Sequence, residues 1–313
     1  SIKVTAENIT TTVNNETVIV ATTTPENLNL TYLSADPNIA TVDASGKVTG
    51  KSNGTTTITI TINGEGKYYE NTTTINVTVK LNDARVNAEP IAVNVSETNN
   101  ITTTSEPEDL KVEYSSNNPS IATVDDTGRV TGVSEGETNI TLTVGDDVIY
   151  AKYSVNVSVT VSKKTVTIDA DTVEMTYGNN NTLTATFRYN GKDVEAPVAV
   201  SVNNDARDNM TSTGGKITLN DLNRWSAGNY TVTLTVNTNE YKGNRTVNVK
   251  INKAQPDFKL ENLAVNVTGS TTVTPKDIVS DNNPKFTYQS MDDSVVTVDA
   301  TGAALGVSEG TAN

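Results

Sequence analysis

One stretch of the chain occurs three times, and it decides what kind of object the chain can be. Residues 114–144 read YSSNNPSIATVDDTGRVTGVSEGETNITLTV, residues 32–60 read YLSADPNIATVDASGKVTGKSNGTTTITI, and residues 288–313 read YQSMDDSVVTVDATGAALGVSEGTAN. Tyr32, Tyr114 and Tyr288 begin the copies, at offsets of 82 and 174 residues. Recurrence at domain-length spacing means an array of similar modules. Within the middle copy, Ile121-Ala-Thr-Val124 is β-prone, and Asp125-Asp-Thr-Gly128 supplies a turn with an acceptor at its start and a glycine where φ turns positive. After Gly136, the residues Ile140, Leu142 and Val144 alternate with polar ones, which predicts a strand with one buried and one wet face.

At 313 residues the chain is too long for one ordinary sandwich, so the repeat predicts modules of about 80–90 residues. The expected boundaries are 1–81, 82–163, 164–254 and 255–313. The third module breaks the repeat. Its clearest local signal is Asn190-Gly191 between residues 182–189 and 192–200, which predicts a type I′ hairpin. The fourth returns to the first design but stops just after Gly310, where the other copies continue into two further strands. Our expectation is that the chain continues, or else that another molecule donates those strands. The start at Ser1 likewise reads as a mature or excised segment. With 54 threonines and 39 asparagines, the composition suits exposed strand faces and turns, and no long helix is apparent. The fold class predicted is all-β.

The composition also removes several chemistries. With no histidine and no cysteine, Ser-His-Asp and Cys-His catalysis and the usual zinc sites are excluded. A net charge of −14 without a basic stripe argues against nucleic acid, and no apolar run is long enough to span a membrane. Asp146-Asp147 and Asp292-Asp293 are carboxylate pairs, but they stand in turn-like contexts and read as solvated turn acids. Asp43, Asp125 and Asp299 recur at one repeat position, which Asx-turn capping explains. Oxygen ligands for calcium cluster at residues 203–208 and 281–283, and Asn82-Asp83 sits at a linker where an ion would stiffen the junction. None follows the spaced EF-hand pattern, so no cofactor or metal is expected. The densest motif is N-x-[ST], with 15 occurrences. Candidate N-glycosylation sites are Asn29, Asn76, Asn139, Asn156, Asn229 and Asn244, several of them on outward strand positions.

The segment NPSIATVDDTGRVTGVSEGETNITLTV resembles the group 2 bacterial immunoglobulin-like domain, found in intimin- and invasin-type adhesins. The first two modules match throughout; the fourth has Ala303-Ala-Leu-Gly306 in place of the G-x-V-T-G segment. The third, with Ala227-Gly-Asn-Tyr-Thr-Val232, is similar to another immunoglobulin-like surface repeat. The Thr/Asn-rich composition is similar to that of adhesin-like surface proteins of methanogenic archaea. The resemblance implies tandem immunoglobulin-like β-sandwiches, an extracellular, cell-surface location and a non-catalytic stalk or adhesive role. It names no catalytic residue. Short linkers predict a semi-rigid array. The partner expected is a surface glycan or protein engaged by a region outside this segment, with self-association through the fourth module as an alternative. Direct binding by the third module, which holds the single tryptophan, Trp225, is the other alternative.

Overall fold

The computed structural model describes residues 2–62, 66, 69–177, 179, 182–203, 205–207, 210–213, 216–219, 225–255, 257–279 and 285–313, with backbone alone at 205–207, 210–213, 216–219 and 279. Among these residues every regular element is a strand. The chain divides into two compact units, Ser1–Lys164 and Thr165–Asn313.

The first unit contains two cores built on one plan. In the first module Gly54–Ile62 runs antiparallel to Asn71–Lys80, and Leu30–Ser34 and Ile9–Thr12 flank the pair to make a four-stranded sheet. Ile9–Thr12 joins it in parallel. Period-two alternation drives Ile58, Ile60 and Ile62 inward, all three at 0% exposure, into one core with Ile75, Val77 and Val79 of the neighbouring strand. Burying each such side chain is worth about 1.5–3 kcal/mol. The facing layer is the three-stranded sheet of Glu16–Val18, Lys47–Gly50 and Ala40–Val42, beside the paired strands Lys3–Ala6 and Ala21–Thr24. The second module repeats the plan, with Gly136–Val144 and Tyr153–Ser162 at the centre of its larger sheet.

The recurring tyrosine and glycine explain each other. Gly46, Gly128 and Gly302 have φ of 81°, 81° and 85°, and a Cβ on Gly128 would fall 2.8 Å from Cζ of Tyr114. Each glycine therefore serves a left-handed turn and leaves room for a tyrosine ring to lie on it.

In the second unit, residues from 165 onward surround Phe187, Leu183, Val232, Leu234, Val249 and Ile251. The predicted hairpin is present: Asn190 and Gly191 have φ of 49° and 77°, and Tyr189 pairs with Lys192. The returning strand is shorter than expected, because only Lys192–Asp193 pairs there. Pro197 has no N–H to give a ladder, and beyond it Val198–Val202 pairs with Gly228–Asn237 in the other sheet. Among the described residues of 257–313, the pairings are the smaller ones, Asp257–Lys259 with Lys276–Val279 and a three-stranded sheet through Ala303–Gly306. Apolar positions covered in the second module are open here: Phe258 is 39% exposed where Val86 is 0%, and Val267 is 49% exposed where Val95 is 4%.

Candidate functional site

Asp43, Asp125 and Asp299 make the turn caps that their sequence position predicts. In each, Oδ1 accepts a bond from the backbone N–H two residues on, from that residue's hydroxyl at 2.6 Å, and from the N–H four residues on. The hydroxyls of Ser45, Thr127 and Thr301, and then the N–H groups four residues on, hold these carboxyls below their ordinary value. Carboxylates this engaged cap the turn before the second strand of each copy. Asp292 is lowered likewise, by the Ser294 hydroxyl.

A second set of polar groups converges where the first module meets the second. The linker residue Leu81 packs on the first core, and Ala84, three residues later, is buried in the second. Between them Asn82 is bonded in both directions. Its N–H donates to the Ile149 carbonyl at 2.8 Å, and its own carbonyl accepts from Ala151 N–H at 2.9 Å. Its side-chain Nδ2 donates to the Val13 carbonyl at 2.9 Å and to the Ile149 carbonyl at 3.2 Å, while Oδ1 accepts from Asn15 Nδ2 at 2.9 Å. Asn15 also donates to Thr12 Oγ1, at 2.6 Å. One half-buried carboxamide thus ties a turn of the first module to a loop of the second.

That loop is shaped by its own aspartate. Asp146 Oδ1 accepts from the N–H groups of Val148, Ile149 and Tyr150 at 2.9, 2.8 and 3.0 Å. The Tyr150 N–H, then those of Ile149 and Val148, hold its pKa down at about 2. Asp147, with φ of 55°, accepts from Lys152 N–H at 3.1 Å. The loop so fixed presents Ile149, which packs against the first module's core, and Tyr150, which packs against the second's. A concavity of about 360 Å³ remains beside the joint, bordered by Asn14, Asn15, Pro107 and Tyr150.

Sequence reasoning singled out Asn82-Asp83 and Asp146-Asp147 separately, and the structure brings them to one place. It also gives them another role than ion binding or acid–base work: both protons and the oxygen of the Asn82 carboxamide are spent on protein partners, and Asp146 is spent on its own loop. Asn15 and Ile149 were missed. The available signal was Val148-Ile149, two apolar residues in a hairpin tip where polar ones are usual. The other clusters weighed for calcium lie largely outside the described residues: 281–283 entirely, and 204 and 208 within 203–208. Among the described residues no three acidic, histidine or cysteine side chains gather as metal ligands.

The sequon asparagines Asn29, Asn76, Asn156, Asn229 and Asn244 are exposed, and Asn139 is half-buried. Asn29 lies between strands; the other five lie within them. Two sequons face each other across the second module's sheet, with Asn139 opposite Ser158 and Thr141 opposite Asn156. The Thr141 hydroxyl lies 2.8 Å from the Asn156 carboxamide oxygen, and the Ser158 hydroxyl 3.3 Å from that of Asn139. The same rung in the first module pairs Thr57 with Asn76. Outward positions two apart, filled with Asn and Thr, spell N-x-T automatically, so the sheet's own period accounts for much of the motif's density. In the third module Trp225 is half-buried against the core, its ring centroid 5.0 Å from that of Tyr230.

Two protein-family models agree with this architecture. Residues 80–153 and 254–313 match the bacterial Ig-like domain (group 2) family, and residues 28–64 match the intimin immunoglobulin-like domain. An uncharacterized protein of Clostridium acetobutylicum is 30% identical over 159 residues, which is 49% of this chain and 16% of that protein. Among solved structures, the I67–I69 fragment of titin aligns over 82% of this chain and 98% of its own at 12% identity, with a TM-score of 0.35. Domains 4–9 of the surface layer protein SbsC align over 87% of this chain and 49% of theirs at 18% identity, with a TM-score of 0.26.

Proposed function

We propose that this chain, in which residues 80–153 and 254–313 match bacterial Ig-like domains and 28–64 the intimin immunoglobulin-like domain, is a non-catalytic spacer segment of an extracellular, cell-surface protein, holding an adhesive region away from the cell. The observation that carries this reading is the first joint. A linker whose middle residue bonds both neighbours transmits position from one module to the next, which is what a spacer needs and a flexible tether lacks. Domain families of this kind serve in general as structural and adhesion modules, and the acids of the joint fit that use. A carboxylate titrating at about 2, its oxygen occupied by three backbone N–H groups, is a poor proton acceptor near neutrality.

Two measurements test the proposal. Brief protease treatment of intact source cells should release peptides of this chain ahead of cytoplasmic markers; their retention until lysis would contradict a surface location. A binding screen against surface glycans should show no saturable binding by the segment. Saturable binding that disappears when residues 164–254 are deleted would replace the spacer by a binding module.

A further inference from the structure

The joint is more than a covalent connection, because a side chain of the second module packs against the first module's core. Ile149 belongs to the second module's sheet hairpin, yet it packs with Leu81 against the cluster formed by Ile2, Val13, Ile58, Ile60 and Val79. The loop that carries it is shaped largely by its own bonds. Asp146 closes that loop with three N–H bonds of its own, and Asp146 and Asp147 N–H both donate to the Tyr150 carbonyl, at 3.1 and 2.9 Å. A loop ordered by its own bonds therefore meets the first module, and little ordering entropy of the loop opposes docking.

The residues on the two sides are matched to each other and not to the repeat in general. At the 82-residue spacing, the first module carries Gly64, Glu65 and Lys67 where the second carries Asp146, Asp147 and Ile149. On the other side of the joint, Asn15 and the linker residue Asn82 correspond to Glu97 and Lys164. Neither the carboxamide pair nor the isoleucine plug recurs at its equivalent position.

We propose that the end face of the first module around Val13, Asn15 and Leu81 is a docking surface specific for an aspartate-capped, isoleucine-bearing hairpin loop of the following domain, and that residues 1–164 consequently open as one cooperative unit. The inference does not depend on the spacer reading, since it concerns which surfaces fit and not where the protein works. Order along the array is then written into the first joint: the second module fits after the first, and a second copy of the first module does not.

Native-state hydrogen exchange on the full chain tests this. Ile149→Ala changes only the second module's sequence, but it should speed exchange of the slowest amides in the first module, at Ile58, Ile60 and Val77, by about tenfold, a fraction of the effect of truncating a fully buried isoleucine. Val148→Ala, one residue earlier and 66% exposed, should leave those amides unchanged. Ile149→Val serves if the alanine variant folds poorly, with a smaller change in the same direction. First-module protection that stays at its wild-type value in an Ile149 variant, while the 145–152 loop exchanges faster, would overturn the proposal. So would an equal response to Val148→Ala.

Discussion

Replacing Asn82 with alanine should destabilise the first unit without touching either core. The substitution deletes two donated bonds, to the Val13 and Ile149 carbonyls, and one accepted bond, from Asn15. Each neutral bond is worth about 1 kcal/mol net, and the half-buried site lets water replace part of the loss, so about 2 kcal/mol is expected in total. Pulse proteolysis of the full chain across a urea series reads this directly. For a unit of this size it corresponds to a midpoint about 1 M lower. A double-mutant cycle with Asn15→Ala isolates the carboxamide pair, and the coupling should be about 1 kcal/mol. Asn82→Asp sharpens the test. It keeps the acceptor for Asn15 but aims a carboxylate at two carbonyl oxygens, so at neutral pH it should be worse than alanine. The introduced acid's folded pKa is raised, so the deficit should shrink as pH falls through the carboxylate range. A midpoint for Asn82→Ala within about 0.2 M of wild type, or a coupling energy of zero, would refute the assignment of Asn82 as the joint's principal tie.

Three further outcomes follow from the geometry. Gly128→Ala forces a left-handed φ of 81° on alanine and sets its Cβ 2.8 Å from the Tyr114 ring, so the urea midpoint of the first unit should fall by an amount corresponding to about 2–3 kcal/mol. Asp146 has a folded pKa depressed to about 2 from an ordinary 3.8, so the stability it contributes is complete above the ordinary value and lost as pH falls between the two. Exchange of the Val148, Ile149 and Tyr150 amides, corrected for intrinsic rates, should therefore quicken in that window, and in Asp146→Ala it should already be fast at pH 6. In a glycosylating host, peptide mass spectrometry should find Asn29, outside any strand, more occupied than Asn139 and Asn156, whose sequon hydroxyls are engaged across the sheet; the reverse order would contradict this reading.

Much of the fold was legible because its causes are local. Alternation at Ile58, Ile60 and Ile62 marks a strand wherever it sits, and Asp-x-Ser/Thr-Gly names its turn by the bonds that the aspartate makes to its own neighbours. Asn190-Gly191 gave its hairpin for the same reason, but not how soon the returning strand leaves the sheet. That depends on Pro197 and on which sheet has a free edge, which is a tertiary fact. The joint was half legible. Asn82-Asp83 and Asp146-Asp147 stood out as polar pairs, yet 64 residues separate Asn82 from Asp146, and no local pattern says that a linker carboxamide and a hairpin aspartate share one purpose. Asn15 was hidden by its ordinariness in a chain with 39 asparagines. Ile149 was an apolar residue in a loop, and its meaning appears only when the neighbouring core lies against it.

The rigidity of the first joint is the claim on which the spacer reading rests, and a distance measurement tests it most directly. The chain has no cysteine, so Lys51→Cys and Val133→Cys, exposed and at equivalent surface regions of the two modules, place one spin label on each without background. Pulsed dipolar spectroscopy of the full chain should give a single distance distribution no wider than the labels' own rotamers allow, and Asn82→Ala should broaden it. A broad or multiple distribution in the unaltered joint would contradict the account.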